Sequence, residues 1–110
     1  GIKRGDDVII YGMGTYGQRL YDFIARTGLC KVVMCADRNY EALKRQGIDV
    51  VAPDEIAGSE CNKIIVANSF YAVRNAIAKE LTERYQDKEI ITMDIDVVFG
   101  EDTLRRAGLK

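Results

Sequence analysis

The chain has 110 residues, with 16 basic against 17 acidic side chains and a formal net charge of −1, a size that suits one domain with a core of its own. That balance argues against an electrostatic hold on nucleic acid or on a membrane surface. No apolar run approaches the ~20 residues of a membrane span, and no charged start followed by an apolar stretch marks a signal peptide.

There is no histidine, and the three cysteines, Cys30, Cys35 and Cys61, lack Cys-x-x-Cys spacing, so neither a metal site nor a disulfide framework is expected. They read as reduced thiols, and a cytoplasmic location follows. The first residue is Gly1 rather than Met, as it would be for a domain taken from a longer protein or for a chain from which a tag was removed.

In chain order, Val8, Ile9, Ile10 and Tyr11 form a short apolar run ending at glycine, the pattern of a strand buried on both faces of a parallel sheet. The period then changes: Tyr16, Leu20, Phe23, Ile24 and Thr27 share one face of a helix that Gly28 ends in the left-handed conformation. Residues 31–36 read as a second strand. Asn39 is expected to cap a short helix over residues 40–46, with Gly47 as its terminator. Residues 48–51 read as a third strand, and Pro53 opens a single turn of helix over residues 54–57.

Residues 63–67 give a fourth strand, after which Asn68 or Ser69 is expected to cap a long helix whose apolar face is Phe70, Val73, Ile77, Leu81 and Tyr85. Residues 89–93 make a fifth strand. Strands alternating with helices imply an α/β domain with right-handed parallel crossovers, and the expected strand order is 3-2-1-4-5. The domain therefore spans residues 1–93. Residues 94–110 form a tail that serves as a linker or a short helix near residues 101–107.

Gly12-Met13-Gly14-Thr15-Tyr16-Gly17 has Gly-x-Gly-x-x-Gly spacing, follows a strand, opens a helix and precedes an acid by twenty residues. Gly12 permits the tight turn, Gly14 lets a pyrophosphate approach the backbone, and Gly17 lets helix and strand pack closely. The helix beginning at Thr15 directs its dipole and unpaired N–H groups at the turn, so a phosphate is favoured there without a lysine. Thr15 and Tyr16 add hydroxyls nearby.

Asp37, at the carboxyl end of the second strand, is placed to accept hydrogen bonds from both hydroxyls of an adenosine ribose, which favours NAD over NADP. The adjacent Arg38 is placed either to compensate a 2′-phosphate or to lie over the adenine ring. Ala67, Asn68 and Ser69 follow the fourth strand across the point where strand order reverses, so they line the crevice used by ligands in open parallel sheets. Tyr71 follows one turn later. Tyr40 and Lys44 have the four-residue spacing of a catalytic pair, but they follow the adenosine-side acid and belong to a surface helix. No Gly-Lys-Ser/Thr sequence supports a P-loop.

From Gly5 through the glycine turn to Asn39, and again over residues 47–56, the chain resembles small NAD(P)-binding Rossmann-like domains. Such domains occur in bacterial surface-polysaccharide proteins, among them the nucleotide-sugar epimerase and dehydratase group and the N-terminal part of some sugar acetyltransferases. The resemblance implies a three-layer domain in which Gly12, Gly14 and Gly17 take the phosphate-turn positions and Asp37 the ribose position. It supplies no match for a catalytic Tyr-Lys pair.

The resulting expectation is a nucleotide-binding module, for NAD or a nucleotide-sugar, within a larger or oligomeric protein of glycan metabolism. It binds and does not catalyse alone, because no positioned proton donor or substrate site is evident. Two alternatives stand beside it: half of a dehydrogenase or epimerase completed by another domain, and a structural or regulatory domain that binds nothing.

Overall fold

The computed structural model describes residues 2–68 and 70–92. Along them run β1 (Asp7–Tyr11), α1 (Thr15–Thr27), β2 (Lys31–Ala36), α2 (Tyr40–Arg45), a 3-10 helix (Pro53–Gly58), β3 (Lys63–Val66), α3 (Tyr71–Arg84) and β4 (Glu89–Thr92). The alternation of side chains along β1 divides the interior in two. Val8 and Ile10 face a cluster with Leu20, Phe23 and Ile24 of α1 and Leu43 of α2. Ile9 and Tyr11 face the opposite cluster, with Leu81 of α3, Tyr85 and Ile56 of the 3-10 helix. A strand buried on both faces needs helices on both sides, and the result is three layers.

Among the described residues the sheet has four parallel strands in the order β2-β1-β3-β4, a Rossmann-like arrangement in which the chain leaves β1 toward β2 on one side and returns to β3 on the other. This corrects the expected five strands in the order 3-2-1-4-5. Residues 48–51 do not form a third strand; they make only the single parallel bridge between Val51 and Ala36. The reason is local. The start of the segment is tied to the end of α2, with Ile48 N donating to the Leu43 carbonyl, so the chain reaches β2 only at Val51. β2 also carries an irregularity at Val33, where pairing steps from Val8–Val32 to Ile9–Met34, and a bulge of this kind interrupts a ladder.

Helix α1 ends as expected at Gly28, in the left-handed region with its N–H on the Ile24 carbonyl. The caps differ. Asn39 occupies the cap position of α2 but its side chain makes no capping bond; instead its backbone N–H donates to Asp37 Oδ1. Phe70 is the cap residue of α3, and Asn68 Oδ1 accepts from the Phe70 N–H at 2.8 Å, a turn before the helix rather than a cap within it. Ser69 and the tail from 94 to 110 lie outside the described residues.

The expected apolar face of α3 holds only in its second half. Leu81 and Tyr85 are buried, but Phe70 is 71% and Val73 46% exposed. Phe70 instead lines a cleft at the strand ends.

All three cysteines are free and buried. Burial pushes the Cys30 and Cys35 thiols up to about 11, with Asp6 and Asp49 respectively adding to the shift. Because the folded value lies above the unfolded one near 9, this stabilisation is complete below pH ~9 and is lost as the pH rises toward 11. Melting temperature is therefore expected to decline over that interval. A Cys30→Ala, Cys35→Ala variant should lose this part of the slope, and an unchanged slope would show that the thiols do not contribute.

Candidate functional site

Two of the three glycines in the turn after β1 are required by the fold itself. Gly12 has φ +104°, and a Cβ there would lie 2.7 Å from the Ala67 carbonyl oxygen at the end of β3. At Gly17 a Cβ would come within 1.8 Å of the Gly12 carbonyl oxygen, so α1 rests directly on the backbone of the turn. Gly14 differs. It is the cap residue of α1 with φ −69°, a conformation open to any residue, and a Cβ would meet nothing within 4 Å. No intramolecular contact explains a glycine at that place.

The turn is braced from three directions. Gly12 N donates to the Ala36 carbonyl at the end of β2, Met13 N donates to Asp37 Oδ2 at 2.7 Å, and Gln18 Nε2 donates to the Met13 carbonyl at 3.0 Å. The N–H groups of Thr15 and Gly17 fall in the first turn of α1, where a helix offers them no partner of its own. A glycine at the cap brings no side chain to satisfy them, and the first turn carries no acid. The positive end of the helix dipole therefore faces outward at Gly14.

That end opens on a cleft of about 370 Å³ at the carboxyl ends of β1, β2 and β3. Gly12, Gly14, Thr15, Tyr16, Asp37, Arg38 and Asn68 all line it, so the structure brings these sequence-selected residues together. Gly17 lies beneath them, buried against the turn. Tyr71 is 71% exposed beside the cleft, with the Arg74 guanidinium over its ring. Tyr40 and Lys44 lie against each other on α2 and do not line the cleft.

Asp37 serves the protein before it can serve any ligand, since its two carboxylate oxygens accept from Met13 N and Asn39 N. An ionised carboxylate offers about four acceptor positions, so two of them remain. Arg38 is pulled the other way. Its guanidinium is held by the Tyr11 hydroxyl and by Glu80 of α3, contacts that raise its affinity for its proton, Tyr11 first.

Sequence reasoning missed Tyr11, Asn39, Phe70 and Ile77 as lining residues. Phe70 and Ile77 fall on the helical repeat of a core face; Ile77 does pack against the core as well as lining the cleft, whereas Phe70 is exposed. A second groove of about 380 Å³ runs along the open edge of β2, lined by Tyr21, Val33, Met34, Ile48 and Val51 among others. It receives no helix N-terminus. The cleft over the glycine turn is the candidate site, since parallel sheets bind ligands outside their carboxyl ends where strand order reverses.

Topology and cleft together define a Rossmann-like α/β domain. The C2185-like, N-terminal family matches residues 5–92, and the chain belongs to that family. Among solved structures the fold is similar to GenD2 from gentamicin A biosynthesis, crystallised in complex with NAD, with a TM-score of 0.55 and 15% sequence identity. The likeness covers 84% of this chain and 27% of that one, so the chain spans about a quarter of GenD2. No curated protein matches the sequence. Among the described residues, no helix is long and apolar enough to cross a membrane, and no cluster of His, Cys, Asp or Glu is placed to hold a metal ion.

The glycines separate by stability. Gly17→Ala is expected to cost about 2–4 kcal/mol, because backbone must move to admit the methyl group. Gly14→Ser should hold stability or raise it by a few tenths of a kcal/mol, since serine is a good cap and meets open space. Denaturant melts of both variants check this, and a large loss in Gly14→Ser would show that the fold does require that glycine.

Proposed function

We propose that this domain binds a nucleotide through its phosphates and ribose, with NAD as the foremost ligand, and that it does so as one module of a larger or oligomeric protein. The observation that carries this reading is Gly14: it is a glycine that the fold does not need, at a helix N-terminus facing a cleft that Asp37 borders. A close-lying pyrophosphate would explain it, since even a methyl group there would fill the approach. The N–H groups of Thr15 to Gly17 would hold the phosphates, and the remaining acceptor positions of Asp37 would hold the ribose.

The NAD bound to GenD2 supports the choice of ligand, and the short span matched on that protein supports a separate catalytic region. A glycan-related setting rests on the resemblance of the glycine turn and of residues 47–56 to domains of polysaccharide proteins. When bound, NAD would supply hydride chemistry; this chain's own residues would bind and orient it. Binding without turnover is the behaviour expected of this chain alone, with substrate and proton exchange supplied by the separate catalytic region.

The two backbone bonds of Asp37 favour a second reading, in which the acid braces the glycine turn and the domain binds nothing. Calorimetry separates the two. NAD at 100 times its dissociation constant should stabilise the fold by about 2.7 kcal/mol. Gly14→Ser should abolish that gain, and Asp37→Ala should weaken NAD binding by roughly 1.5–3 kcal/mol. A panel of NAD, NADH, NADP, nucleotide-sugars and coenzyme A that leaves the melting curve unmoved would establish the second reading.

A further inference from the structure

Arg38 is the one basic side chain among the described residues lining the cleft, and it is already engaged. Its Nη2 meets Glu80 Oε2 across 42 residues of sequence, and the Tyr11 hydroxyl, itself at the cleft wall, is a further partner. Glu80 lies on α3 three residues beyond Ile77, which also lines the cleft, and neighbours at that spacing share a helix face. Asp37, Arg38 and Glu80 thus form a row of alternating charge beside the ribose end of the cleft.

We propose that Glu80 is a specificity-determining positioning residue: by holding Arg38 toward α3, it sets this cleft for a nucleotide with an unmodified ribose 2′-hydroxyl and against one with a 2′-phosphate. This rests on the nucleotide reading above. A guanidinium next to the ribose acid is the group that pairs with a 2′-phosphate, through two parallel N–H donors. Here one arm of that fork, Nη2, is engaged by a carboxylate of the protein. A 2′-phosphorylated ligand has to displace Glu80 and then sit near two carboxylates, Asp37 and Glu80, with a single guanidinium between them. A ligand with a free 2′-hydroxyl needs neither change, because it takes its bonds from Asp37. Both partners of the pair are more than half exposed, so the bias is a matter of a few-fold, and salt weakens it.

The test compares NAD and NADP by calorimetry in the wild-type protein, in Glu80→Gln and in Glu80→Gln with Arg38→Ala. Glutamine keeps the shape and helix preference of glutamate on an exposed face, and melting curves verify the fold. Glu80→Gln is expected to improve NADP binding relative to NAD by about two- to fivefold at low ionic strength. The improvement should shrink at high salt and vanish in the double variant, because it acts through Arg38. If the wild type binds NAD and the ratio is the same in Glu80→Gln, or if the improvement survives the loss of Arg38, the role of Glu80 is overturned while the nucleotide reading stands. If the wild type binds neither nucleotide, the reading itself fails and the role of Glu80 with it.

Discussion

Helix α1 rests on the carbonyl of Gly12, with no room for a single methyl group at Gly17 between them. This contact fixes where the helix begins and how steeply it leaves the sheet, and so where its N-terminal N–H groups point. Leu20, Phe23 and Ile24 then fall against Val8 and Ile10, and burial of these side chains, each contributing roughly 1.5–3 kcal/mol, keeps the helix seated. The same geometry leaves Gly14 at the outer corner with space around it. A demand of packing and an opening for a ligand are thus met by neighbouring glycines of one turn.

Asp37 links this corner to the second strand. It lies 24 residues from Met13 yet accepts its N–H at 2.7 Å, so the loop after β2 is tied to the loop after β1. Such bracing narrows the range of positions the turn can adopt, which is what a site needs if phosphate is to be met by backbone groups already in place. The acid is then both part of the scaffold and part of the cleft wall, and loss of its carboxylate leaves a part-buried N–H without its partner as well as removing an acceptor for a ligand.

Much of this was legible in the sequence because the signals were local. Four apolar runs gave the four strands, the change of period after Tyr11 gave α1, and the spacing of Gly12, Gly14 and Gly17 gave the turn. What escaped depends on contacts between distant segments. Residues 48–51 have the composition of a strand, but the hydrogen bond from Ile48 to Leu43 keeps most of them off the edge of β2. Phe70 and Val73 have the spacing of a core face, but both are exposed, and Phe70 lines the cleft. Arg38 lines the cleft, and its engagement with Tyr11 and Glu80 joins three elements and leaves no trace in local pattern.

The account centres on the first turn of α1 as the place where phosphate is held. The most direct measurement is a two-dimensional amide NMR titration of the protein with NAD. The account predicts that the largest shifts fall on the N–H groups of Gly14, Thr15, Tyr16 and Gly17, with a second group at Asp37 and Arg38. Shifts centred instead on Tyr21, Val33 and Ile48, along the groove at the edge of β2, or no shifts at all, would contradict it.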